Sequence, residues 1–254
     1  MKIFKKILRL FRELRLISLI RVTRFSGEPI FIVGCGRSGT TILQAVLGAH
    51  PQIFSIPKET KIYLRTKRKK LKLLNSVKIL TKVFVLLIKQ DIPKGKKTWC
   101  EKTPRHVHYI KEILEDFNNR VKIINIVRDC RDVVLSSHPI YGENYISSKR
   151  WVKDVNAAKN FENNESVLTI RYEDFVQNFE YEIKKILAFI DVNDISLSDF
   201  NKKTNIVEHI AWWGKVEAIN NTSVGKWMSA KKELIDEIMS DNEVVSLLKH
   251  YKYI

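Results

Sequence analysis

Residues Val33–Leu43 read VGCGRSGTTIL, a run whose residue types suit the binding of an anion. Gly34, Gly36 and Gly39 allow successive backbone N–H groups to converge on a phosphate, and the helix expected to follow adds its positive N-terminal end. Ser38, Thr40 and Thr41 bring hydroxyls, so Gly36, Arg37, Ser38, Gly39, Thr40 and Thr41 are the candidate loop contacts. An ATP-binding loop reads G-x-x-x-x-G-K-[ST]. Gly34 and Gly39 keep that spacing, but Thr40 stands in the lysine place and the nearest cation is Arg37, inside the loop. Such a loop can hold one phosphate closely, with no lysine to follow a triphosphate to its end. Further on, IVRD puts Arg128 first at the end of an apolar run, where a magnesium-dependent site would want an acid.

GCGRSGTT resembles the 5′-phosphosulfate loop of sulfotransferases that use 3′-phosphoadenylyl sulfate (PAPS). IVRDCRDVVLSS resembles the second half of their signature, with Arg128 ending a central strand and Ser136 eight residues on, in the next helix. The resemblance implies that these two hold the 3′-phosphate. A guanidinium and a hydroxyl do suit a phosphomonoester. EKTPRH (101–106) resembles the segment that carries a catalytic lysine, here Lys102. IRYED (170–174) resembles a strand-end motif that places Tyr172 near the adenine, and SVGKW (223–227) a late loop with Ser223 and Lys226 on the nucleotide. HPQIFSIPKET resembles the stretch that carries the base in glycan- and tyrosine-directed members, which implies Glu59; His106 is the alternative base. The resemblance covers most of residues 29–230, and neither 1–28 nor 61–97 matches a motif of the family.

The implied chemistry accounts for these residue types. A hydroxyl acceptor attacks sulfur in line and 3′,5′-ADP leaves, so a carboxylate or imidazole must take the acceptor's proton. Arg37, Lys102 and loop N–H groups would stabilise charge on the sulfuryl and bridging oxygens. No step requires a metal. The favoured acceptor is a carbohydrate hydroxyl, on a glycolipid or surface polysaccharide, with a protein tyrosine as the alternative. A P-loop kinase would need ATP and magnesium, against which Thr40 and the Arg128/Ser136 pair both argue. A basic protein that only binds membranes or nucleic acid would leave Arg37, Lys102, Arg128 and Ser136 without a purpose, and nucleic acid is not an expected partner.

Positioning these groups calls for a parallel α/β sheet, the P-loop nucleotide-kinase-like sulfotransferase fold. Strands are predicted at Pro29–Gly34, Thr98–Lys102, Val121–Val127 and from Ser166 into a helix start before Phe175, alternating with helical patterns such as TTILQAVLGAHP and FEYEIKKILAFI. In such sheets ligands bind beyond the carboxyl ends of the strands, where every motif above falls. The length of 254 residues suits one such domain, residues 29–254, preceded by residues 1–28 and interrupted by a basic helical insertion at 61–97.

The formal charge of +17 is concentrated in two segments. Residues 1–25 carry eight Lys/Arg and one acid, and residues 61–97 carry thirteen and one. The first segment has apolar residues at Ile3, Phe4, Ile7, Leu8, Phe11 and Leu14 with cations between them, the spacing of an amphipathic helix lying on an anionic membrane surface. It lacks the apolar length of a membrane span and the pattern of a secretory signal. Cys35, Cys100 and Cys130 lie too far apart for a disulfide framework or zinc site, so a reduced, cytoplasmic protein, peripheral on the inner membrane face, is expected. His50, His108 and His138 read as structural, and Trp212 and Trp213 as core.

Overall fold

A computed structural model of the chain describes residues 25–66, 72–137, 145–194 and 221–254. The segment 1–24, His138, Trp212 and Trp213 lie outside the described residues. Five parallel strands, β1 (Ile30–Gly34), β2 (Ile53–Ser55), β3 (Thr98–Lys102), β4 (Lys122–Val127) and β5 (Val167–Arg171), form one sheet in the order β2-β3-β1-β4-β5. The helices are α1 (Thr40–Ala49), α2 (Lys72–Ile88), α3 (Ile110–Asp116), α4 (Cys130–Val134), α5 (Ser148–Lys159), α6 (Tyr172–Gln177), α7 (Phe179–Phe189), α8 (Lys232–Met239) and α9 (Asn242–His250). Short 3-10 turns span Pro104–Tyr109 and Lys226–Ser229.

The central strand explains the layering. Side chains alternate across a strand, so a strand covered on both faces must be apolar throughout. In β1, Ile30 and Ile32 join Leu43 and Leu47 of α1 and Ile183 and Ile186 of α7 in one core. Phe31 and Val33 point the other way, into a core with Ile79 and Val83 of α2 and Ile113 of α3. A third cluster beside β4 packs Trp151 of α5 against Val133 of α4 and Leu247 of α9.

Three expectations need revision. β2 lies within HPQIFSIPKET, where no strand was foreseen; at three residues it is too short to show a period, and its pairing with β3 secures it. α4 ends at Val134, so Ser136 sits just past the helix rather than on it, its N–H given to the Val133 carbonyl. The helix expected through HVHYIKEILEDF starts as a 3-10 turn and becomes α-helical only at Ile110. The insertion does contain a helix, α2, and that helix belongs to the core through Ile79, Val83 and Leu87.

The switch of chain direction falls at β1. From β1 the chain passes to β2 and β3 on one side, then crosses to β4 and β5 on the other. This leaves a crevice above the carboxyl ends of β1 and β4, the usual ligand site of such sheets. Gly34 ends β1 opposite Ile126, with φ at 144°, and a Cβ there would stand 2.5 Å from the Ile126 carbonyl oxygen. Gly34→Ala should therefore spread the β1–β4 pair and lower unfolding stability by about 2 kcal/mol or more, as read by denaturant titration. An unchanged transition would show that the close approach carries no constraint.

Candidate active site

The loop from Cys35 to Gly39 turns on two left-handed residues, Arg37 at φ 68° and Gly39 at φ 95°. A non-glycine residue held there is uncommon and usually enforced by its surroundings. Here the enforcement is visible: the Arg37 carbonyl accepts from Arg128 Nη1 at 3.0 Å, and its own Nε donates to Ser136 Oγ at 3.0 Å. A Cβ on Gly39 would stand 2.5 Å from the Tyr172 ring, so only glycine lets the loop rest on that ring. Ser38 N–H closes the turn onto the Cys35 carbonyl. The remaining backbone N–H groups from Gly36 to Thr41 have no protein acceptor among the described residues. They include the first turn of α1, whose donors an α-helix cannot satisfy itself.

Arg128 leaves the end of β4 and enters the same space. Its guanidinium lies 4.8 Å from the Tyr172 ring, and its Nη2 donates to the Ser223 carbonyl. Asp132 is 3.8 Å away, but its two carboxylate oxygens already accept the Gly225 and Trp227 N–H groups at 2.8 and 3.0 Å. The Arg128 guanidinium thus shares this space with that of Arg37, which is bonded to Ser136. Burial lowers the Arg37 pKa, and the neighbouring charge of Arg128 lowers it further. No carboxylate pairs with Arg37 among the described residues. Arg128 Nε and Ser38 Oγ are both buried without a hydrogen-bond partner there. Buried polar atoms left unpartnered beside excess positive charge are the signature of a site built for an anion.

On the other side of the loop, Lys102 ends β3 opposite Ile32 of β1. Its Nζ lies 2.9 Å from Glu59 Oε1, and the Glu59 side chain keeps about a third of its surface open (32%). Glu101 points the opposite way into the core. It accepts from the Thr60 N–H (3.1 Å), the Thr60 hydroxyl (2.9 Å) and the Thr103 hydroxyl (2.5 Å). Its second oxygen meets His106 Nδ1 at 3.1 Å, and His106 Nε2 accepts the Tyr63 N–H at 3.4 Å. His106 is therefore corrected as a candidate base. Its ring is fully buried among Phe31, Tyr63 and Tyr109, with both nitrogens occupied.

The family model described as "Sulfotransferase family" matches residues 29–196. The chain belongs to the sulfotransferase family. No curated protein sequence matches it significantly. Among solved structures, the sulfotransferase domain of the Synechococcus PCC 7002 olefin synthase aligns with a TM-score of 0.64 and 16% identity, covering 89% of this chain and 94% of that one. The sulfotransferase domain from the curacin biosynthetic pathway aligns at 0.57 and 16%, covering 91% and 99%. A mouse sulfotransferase, SULT7A1, complexed with PAP, aligns at 0.49 and 19%, covering 89% and 88%. The five-stranded parallel sheet flanked by helices is thus the sulfotransferase fold.

In this sulfotransferase the remaining candidates fall around the same crevice. Thr40 is buried and Thr41 half-buried at the start of α1; Tyr172 is buried beneath the loop; Ser223 is half-buried at Arg128; Lys226 is exposed. Tyr172 has its pKa raised by burial, against the opposing pull of Arg128, which keeps it a neutral hydroxyl. Arg131 pairs with Asp129 at 2.6 Å and stacks on Trp227 at 3.6 Å, so Trp227 serves the late loop rather than the core. The three cysteines are buried, and burial raises each thiol pKa.

Several working residues were not foreseen. Asp132 clamps the late loop, and Glu173 accepts the Asp129 N–H and the Tyr253 hydroxyl at 3.1 and 2.8 Å. Arg150 of α5 brings Nη2 to 3.9 Å from where a Gly36 Cβ would stand, and pairs with Asp154 at 3.5 Å. Asp132 and Glu101 lie inside motifs already noted, where their acidity was the available signal; Arg150 lies in a plain helix and had none.

Glu101 links this site to pH. Burial alone would raise its pKa, but His106, Thr103 and Thr60 together hold it below its ordinary 4.5. A depressed carboxylate contributes stability that is present above its unfolded pKa and lost as pH falls through the folded one. Unfolding free energy should hold steady near neutrality and fall below about pH 4.5. Glu101→Gln should cost about 3 kcal/mol at pH 7, since it strips charge from a buried network. The gap between variant and parent should close in acid; a pH-independent gap would remove Glu101 from this role.

Proposed function

We propose that this sulfotransferase moves a sulfuryl group from PAPS to a carbohydrate hydroxyl and releases 3′,5′-ADP. The observation that carries the donor is the Arg37 guanidinium, bonded to Ser136 with no carboxylate paired to it among the described residues, beside the charge of Arg128. A phosphomonoester dianion matches two guanidinium groups and a hydroxyl, whereas one loop phosphate does not need them. The buried, unpartnered Ser38 Oγ and Arg128 Nε fit the same donor. This reading moves Arg37 from the sulfuryl group, its expected place, to the 3′-phosphate, and leaves Lys102 as the cation for the sulfuryl oxygens.

Glu59 is the base. The acceptor oxygen attacks sulfur, its proton passes to the Glu59 carboxylate, and the bond from sulfur to the bridging oxygen breaks toward the 5′-phosphate. The ion pair between Glu59 and Lys102 supplies a sequence of events. The Lys102 ammonium lies on the Glu59 carboxylate. An anionic sulfuryl group competes for the ammonium, and as Lys102 turns to it the carboxylate is left open to the acceptor hydroxyl. A carboxylate base with the histidine buried suits a carbohydrate or a tyrosine acceptor.

3′,5′-ADP should raise the melting temperature by several degrees and 5′-AMP by far less. Arg128→Ala should abolish the difference; equal shifts for the two nucleotides with the parent protein would refute the 3′-phosphate assignment. Lys102→Ala should slow sulfuryl transfer by about 10²–10³-fold. Glu59→Gln should slow it by about 10²–10⁴-fold while sparing 3′,5′-ADP binding. A Glu59→Gln enzyme at full rate would mean the proton leaves by another route.

A further inference from the structure

α2 has two apolar faces. One is built into the core: Ile79, Val83 and Leu87 are buried, and Ser76 Oγ donates to Asp116 Oδ1 of α3 at 2.6 Å. The other looks outward. Leu73, Leu74, Val77, Leu80, Phe84 and Val85 expose 71, 48, 53, 39, 36 and 43% of their surfaces. At the angular step of a helix these six, with Thr81 among them, form a band about 140° wide that begins beside Leu87 and turns away from the core. Lys78, Lys82 and Lys89 are exposed along one border of the band. No acid lies within α2, and Asp91 is the lone acid among thirteen cations from 61 to 97.

Single exposed apolar residues are ordinary, but a continuous apolar band on one helix marks a surface that meets something. The charge decides what. Leu73, Val77, Leu80 and Phe84 have the spacing of a helix-pairing seam. A second copy would meet that seam with the same lysines and no acid on the helix to answer them. An anionic polymer would satisfy the lysines and leave the apolar band in water. A bilayer with anionic headgroups satisfies both, because an in-plane helix sinks its apolar side among the acyl chains while lysines reach the headgroups. α2 lies on such a surface without crossing it: no described helix is long and apolar enough to span a membrane.

We propose that the outer face of α2 docks the protein onto an anionic lipid bilayer, with Leu73, Val77, Leu80 and Phe84 inserted and Lys78 and Lys89 at the headgroups. The surface stands independently of the reaction assigned to the cleft. α2 is fixed to the core along its other face, so docking needs no rearrangement of the fold.

The test uses the full chain with phosphatidylcholine vesicles, with and without phosphatidylglycerol. Val77→Cys carries an environment-sensitive fluorophore, since Cys35, Cys100 and Cys130 are buried, and Lys249→Cys on α9 carries the control label. The label at residue 77 should shift to shorter wavelength on the phosphatidylglycerol vesicles alone, and that at 249 should not shift. Val77→Asp with Phe84→Asp should weaken co-sedimentation by about tenfold or more with an unchanged melting temperature. Lys78→Gln with Lys89→Gln should weaken it and flatten its salt dependence. Three results overturn the proposal: no sedimentation with either vesicle, sedimentation without a shift at residue 77 (attachment elsewhere, such as residues 1–24), or a dimer in sedimentation velocity that Val77→Asp dissociates.

Discussion

Arg128 joins three parts of the chain that are remote in sequence: the loop after β1, the helix start at Tyr172 and the late loop at Ser223. It does so through carbonyl oxygens and an aromatic face, with the Asp132 carboxylate 3.8 Å away. Asp132 pairs with it and also accepts two backbone N–H groups of the late loop. Holding a buried cation in this way is costly unless an anion completes it. The left-handed Arg37 and the glycine on Tyr172 follow from bringing the loop to Arg128.

A second network lies on the other side of the loop. Glu101 gathers Thr60, Thr103 and His106 beneath the ends of β2 and β3. Its neighbours in sequence, Glu59 beside Thr60 and Lys102 beside Glu101 itself, are thereby held facing each other above the sheet. Residues 62 and 63 continue from this network into the core that receives α2. The helix α2 therefore packs on the same side of the molecule as Glu59 and Lys102. An acceptor carried at a lipid surface would be met by that side.

Much of the site was legible in the order of residues. The glycine loop, the arginine ending β4 and the lysine ending β3 are each tied to a strand end, and a parallel sheet carries strand ends to one edge whatever else varies. The fold class followed from the same alternation of apolar runs and helical patterns. What escaped notice had weak local signals: β2 is three residues long, and α4 stops two residues short of Ser136 because the chain turns there.

The sequence by itself determined which groups could meet an anion, since glycine spacing, hydroxyls and strand-end cations are properties of residue type and order. It also determined that α2 would be a helix with more apolar positions than one face can bury. Only the tertiary structure decided how those groups were shared out. It turned Arg37 toward Ser136, sealed His106 into the core with both nitrogens bonded, paired Lys102 with Glu59, and chose which apolar side of α2 remained outside. The physical reason is that burial and hydrogen-bond partners are set by contacts between distant segments, and residue type alone does not say which oxygen or ring a side chain will find.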